Sequence, residues 1–89
     1  MLSWEITVHG RVQGVGFRHF VYNCARSCSL KGYVKNQTDG TVFIIASGEK
    51  AGLETFCGFL RAGNRLSVVR QLDVSELTHG VEYNDFEIR

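Results

Sequence analysis

The sequence predicts an α+β fold in which two helices lie on one face of a mainly antiparallel sheet. Three observations carry this reading. Apolar and polar residues alternate near the N-terminus, apolar residues recur at helical spacing from Phe17, and a turn signal at Thr38-Asp39-Gly40 separates two segments of strand composition. Eighty-nine residues suit one core and leave no room for a second, so residues 1–89 read as a single domain. A chain of this size buries roughly 60–70% of its extended surface on folding, enough to stand alone with little margin.

Trp4-Glu5-Ile6-Thr7-Val8-His9 alternates as a half-buried strand does. A loop containing Gly10, Gly14 and Gly16 follows. Phe17, Phe20, Val21, Cys24 and Cys28 then fall on one continuous helical face, which assigns both cysteines to the core side. Ser29-Leu30-Lys31 forms the end of that helix and Gly32 breaks it. Gly32 to Asn36 and Thr41 to Ala46 read as two strands of a hairpin around Thr38-Asp39-Gly40. Ser47 is the expected N-cap of a second helix whose apolar face is Leu53, Phe56, Cys57 and Leu60, with its end near Gly63-Asn64. Gly52 and Gly58 inside it argue against regularity. Ser67 to Val74 is a further strand, although Val69 and Leu72, three apart, share a face only if a bulge intervenes. A polar connection containing Gly80 leads to a last strand, Asp85 to Arg89. The order is βαββαβ with that last strand after it, a ferredoxin-like sandwich, which by itself says nothing of function.

Composition narrows the function classes. The apolar fraction of 44% and charged fraction of 21% are those of an ordinary globular protein. A net charge of +1 is too balanced for a chain whose main partner is a nucleic-acid backbone or an anionic membrane. The cations are unevenly placed, however. Arg11, Arg18, Arg26, Lys31 and Lys35 fall in the first forty positions, opposed only by Glu5 and Asp39, as a site for a small anion requires. Met1 to Glu5 has no basic region followed by an apolar stretch, so no signal peptide is visible, and no apolar run reaches membrane-spanning length. Cys24, Cys28 and Cys57 have no further His or Cys at ligand spacing; they read as reduced thiols of a cytoplasmic protein without a metal site or cofactor.

The segment Gly10-Arg11-Val12-Gln13-Gly14-Val15-Gly16-Phe17-Arg18 runs from a strand into a helix. The first N–H groups of a helix have no internal partners, and the helix dipole places partial positive charge there. Glycines with φ > 0 let successive N–H groups of the preceding chain converge into an anion-binding nest. Arg18 adds a permanent planar cation able to grip two phosphate oxygens. The dinucleotide fingerprint lacks its third small residue here, and no Gly-Lys-Ser/Thr closes a Walker loop. Without Arg18 the glycines would be explained equally well by a tight turn.

That nine-residue segment closely resembles the signature of the acylphosphatase family. Gly32-Tyr33-Val34-Lys35-Asn36-Gln37-Thr38-Asp39-Gly40-Thr41-Val42 resembles the family's second signature, which carries a catalytic asparagine. The resemblance extends over the whole chain to Phe86-Glu87-Ile88-Arg89. It implies that Gln13, Gly14, Val15, Gly16, Phe17 and Arg18 bind phosphate, that Arg18 is the essential cation, and that Asn36 positions the attacking water. Read without the resemblance, Asn36 would be a residue capping its turn. Relatives often have Gly-Pro after the second helix. Gly63-Asn64 stands there in this chain, a difference expected to affect only the stiffness of a remote loop.

The implied reaction is hydrolysis of an acyl phosphate, a small-molecule substrate, by a monomeric enzyme that its product, inorganic phosphate, inhibits. A carboxylate leaving group has a conjugate-acid pKa of roughly 4 to 5 and departs without protonation. Phosphoryl transfer through a loose transition state asks mainly for positioning and charge stabilisation. The lack of a His, Asp or Cys triad is therefore expected. His19 points about 100° away from Arg18 on a helix and reads as solvent-facing or loosely phosphate-steering, while His9 and His79 have no partner pattern. Two rival readings are a ferredoxin-like binding module and an accessory domain of a larger carbamoyl-transferring maturation protein. The first needs paired aromatics on central strands, where Thr41 to Ala46 offers only Phe43. Against the second, the chain reads as complete at both ends and has His19 where proline is expected in such domains.

Overall fold

The computed structural model describes residues 1–78 and 82–89. His79 and Gly80 lie outside the described residues. The elements are β1 (Leu2–Arg11), α1 (Phe17–Ser27), β2 (Lys31–Asn36), β3 (Val42–Gly48), α2 (Lys50–Ala62), β4 (Val68–Glu76) and β5 (Phe86–Ile88). The βαββαβ unit thus carries a fifth strand. All five form one sheet in the order β4-β1-β3-β2-β5, antiparallel except where β5 runs parallel to β2. Ile6 and Val8 of β1, Val34 of β2 and Val42, Ile44 and Ala46 of β3 meet Phe17, Val21 and Ala25 of α1 and Leu53, Phe56 and Leu60 of α2 in a single core. Burying each of these larger side chains stabilises the fold by about 1.5–3 kcal/mol.

Several boundaries differ from the sequence reading, each for a physical reason. Helix α1 ends at Ser27, well before Gly32. The Ser29 N–H donates to the Arg26 carbonyl at 3.1 Å and the Leu30 N–H to the Ala25 carbonyl at 2.9 Å, closing a Schellman motif. The left-handed position is held by Ser29 at φ 58°, a serine where glycine is usual, and buried Leu30 and Ala25 supply the apolar contact. Cys24 and Cys28 are half-buried beside the core and Ala25 occupies the centre of the helix face; Cys57 is buried. Desolvation raises the Cys24 and Cys57 thiols above their usual pKa, so neither is primed as a nucleophile.

Ser47 does not cap α2. It belongs to β3, opposite Ser3, and the two buried hydroxyls share a 2.6 Å hydrogen bond. Glu49 occupies the N-cap position without a side-chain cap. Helix α2 is continuous through both glycines, and a Cβ at Gly52 would sit 2.8 Å from the Cys28 carbonyl oxygen, so glycine lets α2 approach the end of α1. The bulge anticipated in β4 is present: His9 pairs with Gln71 and Gly10 with Val69, leaving Arg70 as the extra residue. It reverses the strand's parity between Val69 and Leu72, and both pack against the core.

On the open face of the sheet the Tyr33 and Phe43 rings stand 6.1 Å apart, a pair that Phe43 alone did not announce. The Arg89 guanidinium lies 4.0 Å from the Tyr33 ring centre and Tyr83 meets the same ring edge-on at 5.9 Å, so Tyr33 is already covered. His9, for which no partner was expected, is paired on β4: its Nε2 lies 2.7 Å from Asp73 Oδ2. No helix is long and apolar enough to cross a membrane among the described residues.

Candidate functional site

The strand-to-helix loop is anchored by apolar side chains and open along its backbone. Val12, Val15 and Phe17 are buried, which fixes the path of the chain between β1 and α1. Gly14 and Gly16 stand at φ 72° and 73°, the left-handed region that only glycine enters at no cost. Two left-handed turns flanking Val15 gather successive N–H groups on one side, as a nest requires. Among the described residues, no N–H from Gln13 to Gly16 donates to a protein acceptor. Gly16 is also the N-cap of α1, whose first turn contains no acidic residue, so the helix dipole adds to the same concavity.

The loop is stapled to the β2–β3 turn. Gln13 Nε2 donates to the Gln37 carbonyl at 2.7 Å and to the Thr41 carbonyl at 2.9 Å. The Gln13 side chain is thus committed to the scaffold, and only its main chain is available to a ligand. Across the turn, Gln37 Nε2 donates to Thr41 Oγ1 at 2.8 Å, while Thr41 Oγ1 and N–H donate to Asp39 Oδ1 at 2.6 and 3.0 Å. Turn capping therefore falls to Asp39 and Gln37. The Asn36 amide makes no side-chain hydrogen bond among the described residues. Asn36 follows Val34 on the helix-covered side of β2, beyond the end of the core, where it faces the start of α1.

Asn36, Arg18, His19, Val12, Phe17, Ile88 and the two loop glycines line one cleft of about 320 Å³. The structure thus brings Arg18 and Asn36 together with the loop, and His19 stands at the cleft with its ring 6.3 Å from that of Tyr22. Arg18 is exposed, and its Nη1 donates to the Arg89 carbonyl at 3.0 Å, so one arm of the guanidinium is oriented and the rest remains free. Val12 and Ile88 were not anticipated at the site. Ile88 arrives through the parallel pairing of β5 with β2, in register with Val34.

The loop after α2 is not remote. Asn64 Nδ2 donates to the Val15 carbonyl at 2.9 Å, in the middle of the loop from Gln13 to Arg18. A departure expected to affect only a distant turn thus touches the site itself. No run of local spacing joins residues 49 apart in the chain, so only the tertiary fold shows this contact.

The hydrogen bonds from Thr41 hold the Asp39 carboxyl below the usual carboxylate range. Asp73 is lowered in the same way, chiefly by Gln71 and then by His9. A group whose folded pKa is depressed gives its full stabilisation above the unfolded value of about 3.9 and loses it as pH falls through the folded value. The melting temperature of wild type should exceed that of Asp39→Asn at about pH 6, and the gap should close as pH drops below about 4. A gap that stays constant down to about pH 2 would show that the charge on Asp39 does not hold the turn. Among the described residues no group of three or more His, Cys, Asp or Glu is placed to hold a metal ion.

The family model described as Acylphosphatase matches residues 4–88. An acylphosphatase of Archaeoglobus fulgidus is 43% identical over 88 residues, covering 99% of this chain and 98% of that protein. The crystal structure of acylphosphatase from Bacillus subtilis superposes with a TM-score of 0.97 at 40% identity, covering 100% of this chain and 99% of that one. Full-length HypF in its phosphate- and nucleotide-bound form contains a similar unit. It matches 99% of this chain at 35% identity with a TM-score of 0.87, over 12% of its own length.

Proposed function

The chain belongs to the acylphosphatase family and hydrolyses the carboxyl–phosphate bond of acyl phosphates, and from that premise we propose how its residues do so. The substrate's phosphate lies in the nest of Gln13 to Arg18, with the Arg18 guanidinium on two of its oxygens. Asn36 holds a water in line with the scissile bond. The water oxygen bonds to phosphorus as the bond to the acyl oxygen breaks, and the electron pair leaves with the carboxylate. The water's proton passes to a phosphate oxygen. No general acid is needed because the leaving group is the base of an acid with pKa near that of Asp or Glu, about 4. The catalytic contribution is alignment and charge stabilisation in a prepared site.

The observation that carries this reading is the shared cleft, with Arg18, the paired left-handed glycines and the unengaged Asn36 amide on its walls. Of the apolar side chains lining the cleft, Val12 and Phe17 are almost wholly buried and Ile88 alone is well exposed, so recognition rests on the phosphate and hardly on the acyl group. Residues 1–89 act as one domain, a cytoplasmic monomer whose partners are small molecules and include neither nucleic acid nor membrane.

The test is hydrolysis of an aromatic acyl phosphate with and without chelator, together with inhibition by inorganic phosphate. Chelator should leave turnover unchanged, and phosphate should inhibit competitively. At about a hundredfold excess over its dissociation constant, phosphate binding to the native state is worth about 2.7 kcal/mol. That should raise the melting temperature of a domain this size by roughly 10–20 °C. Turnover lost to chelator and restored by added metal would sink the mechanism. If phosphate neither inhibits nor stabilises, the loop is not the site.

A further inference from the structure

We infer that Asn64 is a positioning residue that aims the Gly16 N–H into the phosphate nest, an inference that rests on the loop reading above. The peptide between Val15 and Gly16 is trans, so its carbonyl and its N–H point in opposite directions. Asn64 Nδ2 holds the Val15 carbonyl at 2.9 Å. The Gly16 N–H must then point away from Asn64. Gly16 lines the phosphate cleft, whereas Asn64 lines a separate hollow with Arg65 and Leu66. Asn64 therefore stands behind the nest and fixes one of its donors from outside, where it cannot touch substrate.

The backbone that carries this side chain is itself held. The Asn64 N–H donates to Ser67 Oγ at 2.8 Å, and the Asn64 carbonyl accepts from Ser67 Oγ at 3.1 Å and from the Ser67 N–H at 3.2 Å. The other end of its amide is left in an unfavourable state. Asn64 Oδ1 is buried with no hydrogen-bond partner among the described residues. A buried acceptor without a donor lowers stability, and such groups in a native fold call for an explanation. Leucine would fill nearly the same space without that cost. An asparagine here, with its one satisfied atom gripping the loop, is what a positioning role accounts for. Gly16 can take either sign of φ, so a hydrogen bond to the Val15 carbonyl helps to hold this peptide plane in one orientation.

The decisive comparison is between wild type, Asn64→Leu and Asn64→Asp. Phosphate affinity is measured by calorimetry, melting temperature in phosphate-free buffer, and the Gly16 amide resonance by NMR. Asn64→Leu removes both the donor and the orphaned oxygen, so the melting temperature should hold or rise. Phosphate affinity should nevertheless weaken about three- to tenfold, the worth of one neutral hydrogen bond. KM should rise, and the phosphate-induced shift of the Gly16 amide should shrink. Asn64→Asp keeps the shape but exchanges the donor for a carboxylate facing the Val15 carbonyl, so its loss of affinity, which includes repulsion of phosphate by the new charge, should be at least as large. Folded variants that bind phosphate as tightly as wild type overturn the inference while leaving the loop reading intact. A wild type that binds no phosphate overturns the loop reading and this inference with it. Affinity lost only in step with unfolding, in both variants, assigns Asn64 to the fold alone and also overturns it.

Discussion

Replacing Arg18 by alanine should abolish turnover and phosphate binding together. The guanidinium is the only permanent cation lining the cleft among the described residues, and its planar fork can hold two phosphate oxygens in both ground and transition states. Loss of a single positioned donor in other enzymes costs about 10²–10³ in rate, and a charged bidentate contact should cost at least as much. The fold should survive. Arg18 is exposed, its one side-chain hydrogen bond among the described residues is to the Arg89 carbonyl, and surface substitutions of this kind shift stability by about 0.5 kcal/mol or less. Arg18→Lys should rescue little, because an ammonium reaches the phosphate as a point charge and leaves the second oxygen unmatched. Turnover, phosphate calorimetry and circular dichroism on both variants separate these outcomes. A folded Arg18→Ala that still binds phosphate at near wild-type affinity would remove Arg18 from the site.

The parts of this fold that the sequence announces are those made by neighbours in the chain. The alternation in β1, the apolar face of α2 and the glycine-to-arginine loop all depend on residues within a turn or two of one another, and all stand where local chemistry puts them. The misplaced features depend on partners far away or on a backbone conformation that composition does not mark. Ser47 has the composition of an N-cap, yet Ser3, 44 positions earlier, takes its hydroxyl into the sheet. The end of α1 reads as a glycine stop because a serine in the left-handed region carries no compositional mark, whereas Gly32 lies inside β2, paired with Ala46. The proposed site divides in the same way. Backbone donors and Arg18 are legible because the nest is a local structure. Ile88 and Asn64 reach it through strand pairing and the turn after α2, and nothing in their own surroundings points to the phosphate loop. Asn36 is an intermediate case. Its neighbourhood suggests a turn cap, the family resemblance suggests a water, and the hydrogen bonds give the capping role to Asp39 and Gln37.

Asn36→Ala should separate catalysis from binding. The side chain ends β2 on the side facing α1 and lines the cleft opposite the loop, so it addresses the space beyond the phosphate. Its amide cannot act as a strong base. It can accept from and donate to one water, which would fix both the distance and the line of attack. Removing it leaves the nest, the dipole and Arg18 intact, so the dissociation constant for inorganic phosphate should stay nearly unchanged. Losing one positioned hydrogen bond together with in-line alignment should cost on the order of 3 kcal/mol or more in the transition state. That is at least about a hundredfold in kcat, with little change in ground-state binding. The stability cost should be small, because Asn36 is exposed and the turn beside it is closed by Gln37, Asp39 and Thr41. Calorimetric titration of phosphate into folded Asn36→Ala decides the matter. A variant that loses phosphate affinity in proportion to its activity would make Asn36 a binding residue, and the water would then have to be held by some other group on the cleft wall.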